Sequence, residues 1–237
     1  MANLWQWVRS RHPLVWLFTA AVGLGLLAPL WFLLPLRSAS RPPASREAHQ
    51  AIVTEVIAAT DRATLIGASP TKGNPRARVV LFKFSDFQCP YCAVTAAQMK
   101  PFVDQHQQDL LFVYKHFPLT QIHPEALASA KAAWAAGQQG QFWLYHDGLF
   151  VNQNRLGEAL YLELAEAMGL NLEQFNRDRT SPEAEAAIQK DLALAQKLQL
   201  QGTPSFIMND LLIPGGAPMA LFEEIFTQIN QALNSQE

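Results

Sequence analysis

The alternation of apolar and polar positions changes period several times along the chain, and each change marks an element. Residues 14–36 (LVWLFTAAVGLGLLAPLWFLLPL) run for 23 positions without a charge, long enough to cross a bilayer as a helix with some tilt. Trp16 and Trp31 stand toward its ends, where indole rings favour the interface, and Pro29 and Pro35 would bend or end the helix late. A cleaved signal peptide is the alternative, but its apolar core would be unusually long, and Ser38-Ala39-Ser40 only partly imitates a cleavage site. The pattern predicts a tail at 1–13, a transmembrane helix at 14–36 and an extended linker at 37–46 around Pro42-Pro43.

After the linker, Ala48, Ile52, Val53, Val56 and Ile57 recur at near-helical spacing and predict a helix over 47–66; Gly67 to Pro75 reads as a loop, so 47–72 forms an N-terminal helix and loop. RVVLFKFSD at 78–86 predicts a buried strand, and LLFVYKHF at 110–117 a second. Between them a helix is expected from about Tyr91 to His106, with Pro90 suited to its first turn. Residues 123–200, rich in Ala, Leu, Gln and Glu, read as helical, with breaks at Gly137–Gly140, Gly157, Gly169 and Pro182 and hence about four helices. PSFIMN (204–209) and LLIPGG (211–216) predict a strand pair turned at Asn209-Asp210, and 218–235 an amphipathic helix. The expected class is α/β: a domain over 73–237 with a βαβ half, a helical insertion at about 123–200 and a ββα half.

A hydrophobic fraction of 49% supports a substantial core, and the charge is unevenly placed. Five Arg and no acid precede Glu47, whereas thirteen Lys and Arg stand against twenty acids from there on, a net −7. A body this acidic has no evident attraction for nucleic acid, while the basic end flanks the apolar run and suits a membrane surface. Arg9 and Arg11 before the span nearly balance Arg37, Arg41 and Arg46 after it, so orientation must come from the chemistry.

That chemistry lies in two cysteines, Cys89 and Cys92, three positions apart as Cys-Pro-Tyr-Cys. At a strand–helix junction the unpaired amides and the helix dipole stabilise a thiolate on the first sulfur. Cys89 then exchanges with an outside sulfur and Cys92, one turn on and less exposed, resolves the mixed disulfide. Three plainer roles compete. A structural disulfide across so small a loop removes little chain entropy. A zinc site needs four ligands, and His106, His116, His123 and His146 lack finger-like spacing. Two inert buried thiols are poorly explained by this position. A CxxC near a βαβ pattern is a redox signature.

FSDFQCPYC (84–92), YKHFPL (114–119), QGQFWLYHDGLF (139–150) and QGTPSFIMN (201–209) together resemble the DsbA-like branch of the thioredoxin superfamily, from about Gly73 onward. The resemblance implies a thioredoxin-like fold and protein thiol–disulfide oxidoreductase activity in an extracytoplasmic, periplasm-like space. It also implies a cis Pro204 beside the sulfurs, with the Thr203 backbone offered to the substrate chain. No cofactor or metal is expected. The partners are protein thiols or disulfides and a membrane reoxidant of the DsbB or vitamin-K-epoxide-reductase type. Glutaredoxins share a CPYC motif, but they are shorter and lack the insertion. Disulfide donation is the expected direction; a reductase or isomerase uses the same motif, and a non-catalytic chaperone module is the third reading. Pro90 and Tyr91 tune the pair.

Lys83 departs from the resemblance. Six positions before the first cysteine the family usually carries a buried acid, assigned to proton transfer with the second thiol. Lys83 is either a lysine snorkelling from the sheet or a cation favouring thiolate, with Asp86 and Glu55 as possible partners. His116 and His123 read as structural or surface residues rather than catalytic ones, and Phe142, Trp143 and Tyr145 as core of the insertion.

Overall fold

The computed structural model describes residues 45–235. The expected tail and transmembrane helix, and nearly all of the linker, lie outside them. Among the described residues no helix is long and apolar enough to cross a membrane.

The chain begins with α1 (Arg46–Ala58), capped by the Ser45 hydroxyl, which accepts from the Ala48 amide. The single helix expected over 47–66 is in fact two. Asp61 is extended, and its carboxylate accepts from the Thr64 amide, starting α2 (Arg62–Ile66) afresh. The expected loop also holds a short strand, β1 (Thr71–Gly73), paired antiparallel with β3 (Leu110–His116). Gly73 has φ +88°, and a Cβ there would stand 2.2 Å from the Leu110 carbonyl oxygen, so only glycine lets the edge approach this closely.

β2 (Val79–Ser85) runs parallel to β3 through the crossover helix α3 (Pro90–Gln105). β4 (Ser205–Met208) pairs antiparallel with β2, and β5 (Leu211–Ile213) with β4. The order is β1-β3-β2-β4-β5. Asn209, at φ +54°, makes the tight turn between β4 and β5. Its side-chain oxygen accepts from the Val80 amide, and its own amide donates to the Val80 carbonyl.

All seven residues of β2 and of β3 are buried, because helices cover both faces of the sheet. Val79, Leu81, Leu110 and Phe112 pack against α3 and α9 (Met219–Asn234) through Met99, Phe102, Phe222 and Phe226. Val80, Phe82, Phe84, Leu111 and Val113 pack on the other face, against Val53 of α1 and Ala195 of α8 (Pro182–Lys197). Between β3 and β4 the insertion contains α4 (Ala126–Gln138), α5 (Phe142–Val151), α6 (Glu158–Ala167), α7 (Leu172–Arg179) and α8, five helices rather than about four. Phe142, Tyr145, Leu149, Tyr161 and Phe175 form its interior, which is continuous with Phe87, both cysteines and Tyr114. Trp143 is only partly buried: its indole N–H donates to the Thr71 carbonyl, tying α5 to the sheet edge.

Candidate active site

β2 delivers the chain to a tight turn over Asp86–Cys89, where the Cys89 amide donates to the Asp86 carbonyl at 3.2 Å. Cys89 is the extended N-cap of α3, and Pro90 takes the first helical position, where its missing N–H leaves no bond unmade. Cys92 follows one turn later. Both are free thiols, with 4% of Cys89 exposed and none of Cys92. Tyr91 projects to solvent at 73% exposure.

Distant segments grip this turn. Gln153, just beyond α5, donates from Nε2 to the carbonyls of Phe87 (2.7 Å) and Cys89 (2.9 Å). The buried Asp86 carboxylate accepts from the amides of Gln88 and Leu119 and meets His123 Nδ1 at 2.7 Å. Gln88 Oε1 accepts from the Glu125 amide. The pattern along the chain carried no signal for Gln153, one of several polar residues in the run 152–155 after α5.

The Thr203–Pro204 bond is cis, the isomer the resemblance implied. It sets the Thr203 carbonyl 3.3 Å from Cys89 Sγ, which donates to it in its thiol form. Gly215 backs this loop: a Cβ there would lie 2.1 Å from the Pro204 carbonyl oxygen. Gly215→Ala must therefore displace backbone beside the sulfurs. The expected result is a loss of about 1–3 kcal/mol in stability by denaturant unfolding, together with slower thiol exchange. Beyond Pro204 a groove of about 1060 Å³ opens between α1 and the β4–β5 hairpin, lined by His49, Gln50, Leu200 and Leu212.

The two sulfurs are electrostatically unlike. Hydrogen bonding from the Cys92 thiol, then from the amides of Cys92 and Tyr91, outweighs burial and lowers Cys89 from 9.0 to about 5. Burial pushes Cys92 far up, and donation of its proton to Cys89 adds to this. At neutral pH the pair holds one thiolate, on Cys89, and one thiol.

Lys83 faces the cysteines. It shares the α3 side of β2 with Leu81, is 1% exposed, and its Nζ donates to the Cys92 carbonyl at 3.4 Å and stands 5.4 Å from the Phe150 ring centre. The snorkelling reading is thus wrong, and so are both expected partners. Asp86 turns away to His123, and Glu55 is exposed on α1. Burial lowers Lys83 from 10.5 to about 8, opposed by the charges of Cys92, Cys89 and Asp147. Lys83 is therefore mostly charged at pH 7, and its support for a thiolate is present below about pH 8 and fades as pH rises through that value. Lys83→Met should raise the Cys89 titration above about 5 and lower the reduction potential, by about 30 mV for each pKa unit. Thiolate absorbance and redox equilibration measure the two shifts.

His116 and His146 are buried among Phe87, Tyr114 and Phe142, and burial lowers both to about 4, so they are neutral packing groups at pH 7. Among the described residues no cluster of His, Cys, Asp and Glu is arranged to hold a metal.

Residues 66–226 match the thioredoxin family model. A thioredoxin-like oxidoreductase from Silicibacter pomeroyi DSS-3 is 33% identical, with a TM-score of 0.66 over 73% of this chain and 99% of that one. The thiol–disulfide exchange protein alpha-DsbA2 of Wolbachia pipientis shares the fold at a TM-score of 0.70 and 18% identity, over 78% of this chain and all of that one. Over 197 residues the chain is also 34% identical to the Na(+)/H(+) antiporter NhaA 1 of Salinispora arenicola, covering 81% of this chain but only 29% of the antiporter's length. With its sheet order, its Cys89–Cys92 pair at the start of α3 and its cis Pro204 opposite, the chain belongs to the thioredoxin family.

Proposed function

We propose that the chain is a thiol–disulfide oxidoreductase that donates disulfides to protein thiols through Cys89 and Cys92. The observation that carries this reading is the placement of two free thiols one helical turn apart at the start of α3, Cys89 as the N-cap beside cis Pro204 and Cys92 fully buried, an arrangement that lowers the first sulfur and raises the second. Stabilising a thiolate stabilises the dithiol over the disulfide and so makes the disulfide an oxidant. A client thiolate attacks Cys89 Sγ, the Cys89–Cys92 bond breaks, and its electron pair passes to Cys92. A second client thiolate then attacks the client's sulfur, forming the client disulfide and releasing Cys89 as thiolate. Thr203 and Pro204 hold the client backbone, and Pro90 and Tyr91 shape the turn.

Equilibration with glutathione tests the direction. A disulfide donor gives a potential nearer the roughly −120 mV of DsbA than the roughly −200 to −230 mV of glutaredoxins. A value at or below the latter range would make the chain a reductase. A biological activity that survives loss of Cys89, with no exchange catalysed by the parent, would leave the non-catalytic chaperone reading instead.

The apolar run at 14–36 supports a membrane anchor. An oxidising role places the soluble body outside the cytoplasm, with a membrane oxidase of the DsbB or vitamin-K-epoxide-reductase type restoring the disulfide. A reporter fused after Glu237 should be active outside the cytoplasm; a cytosolic signal would overturn the placement.

A further inference from the structure

A cavity of about 600 Å³ lies on the α8 side of the sheet, bordered by α2, α4 and α8, and neither cysteine lines it. Its volume suits a drug-sized molecule. Glu183, Ala187, Lys190, Leu194 and Lys197 recur every three or four residues, so one face of α8 looks onto it. Leu65 of α2 and Trp134 of α4 join Ala187 and Leu194 to give an apolar lining. The charge here runs against the rest of the body. From Glu47 onward twenty acids outnumber thirteen Lys and Arg, yet the cavity sets Lys115, Lys190 and Lys197 against Glu183 and Asp191. His116 also borders it and, lowered by burial to about 4, is neutral at pH 7. Lys115 and Asp191 cancel at 3.0 Å, and Lys115 spends its other donors on the Ile66 carbonyl and Ser69 Oγ. Lys190 and Lys197 differ. Both are exposed, and no acid stands three or four positions from either along the chain. Neither forms an ion pair among the described residues, whereas Lys100, Lys131 and Arg155 each hold a carboxylate.

We propose that this cavity is a binding site for an amphiphilic anion, an aromatic or alkyl body carrying one carboxylate or sulfonate. The body leaves water against Leu65, Trp134, Ala187 and Leu194, which is the favourable hydrophobic term. The anion meets the Lys190 and Lys197 ammoniums at the exposed rim, where neither charge has to give up all its water. A neutral apolar molecule gains only the first of these terms and a small inorganic anion only the second. A cationic amphiphile is repelled by the two lysines. Glu183, on the same face of α8, opposes the anion and limits its affinity. The site is separate from the thiol-exchange centre, and the proposal stands whichever direction the exchange takes.

Photolabelling of the full-length protein with para-benzoylbenzoate, an aromatic carboxylate that inserts into nearby C–H bonds on illumination, tests the site. Mapped by peptide mass spectrometry, saturable label should fall on α4 (Ala126–Gln138) and α8 (Pro182–Lys197). Lys190→Gln together with Lys197→Gln should weaken half-saturation about fivefold, and Glu183→Gln should strengthen it about twofold. Those opposite signs follow from charge and not from packing, and high salt should act as the lysine changes do. Ala186→Trp, at an exposed position that borders the cavity, should fill it and block the label, with unfolding curves and thiol exchange as in the parent. Displacement by oleate marks acyl chains as the ligand, and displacement by naphthoate marks soluble aromatic acids; either supports the site. Label confined to other segments, label that neither competitor displaces, or label unchanged in both the lysine and the Ala186→Trp variants would overturn it.

Discussion

Cys89→Ser should reduce thiol–disulfide exchange to the uncatalysed background while leaving the fold intact. Serine is nearly isosteric and keeps the N-cap position of α3, but at neutral pH it supplies no anion to attack a disulfide, whereas the Cys89 thiol, lowered to about 5, is ionised. The assay is reduction or oxidation of a fluorescent peptide disulfide, with unfolding curves as the control. Unaltered turnover in Cys89→Ser would remove the sulfur from the mechanism. The titration also has a thermodynamic consequence. A thiol whose value is depressed on folding stabilises the folded dithiol at pH above its unfolded value of about 9, and that contribution is lost as pH falls through about 5. Between those limits the reduced protein should gain stability relative to the oxidised protein as pH rises.

The largest expected effect on stability lies elsewhere. Asp191 of α8 and Lys115 of β3 form an ion pair at 3.0 Å with side chains 8% and 4% exposed. Lys115 also donates to the Ile66 carbonyl and to Ser69 Oγ, and the second Asp191 oxygen accepts from the His116 amide. Every donor on the ammonium is thus used, and removing the carboxylate strands a buried charge and an amide. Asp191→Ala should cost about 3–5 kcal/mol, or a fall of roughly 6–20 °C in Tm for a domain of this size. Lys115→Met with Asp191→Leu removes both charges and should restore much of the loss. A single Asp191→Ala variant as stable as the parent would show the pair to be solvated.

Strand runs such as VVLFKFS and LLFVYKH were legible in the sequence because a central strand covered on both faces is apolar without interruption. That same property hid the facing of Lys83. Alternation separates a buried from an exposed face, and here both faces are buried, so only the packing of Leu81 against α3 decides the side. β1 was not legible because three residues, Thr71, Lys72 and Gly73, carry no period; β3 makes them a strand by pairing. The break between α1 and α2 is a capping effect at Asp61, inside a stretch whose apolar spacing alone reads as continuous. The cysteine pair was legible because its chemistry depends on local spacing. Gln153, and Lys115 with Asp191, were not, because each acts on residues that only the tertiary fold brings near.

Trapping mixed disulfides in the two single variants tests the central claim most directly. Cys92→Ser, exposed to thiol-bearing protein clients under mild oxidation, should accumulate client disulfides on Cys89, and Cys89→Ser should accumulate none. Disulfides gathering on Cys92 in the Cys89→Ser protein, with none on Cys89 in the other, would contradict the assignment of the two sulfurs and the mechanism built on it.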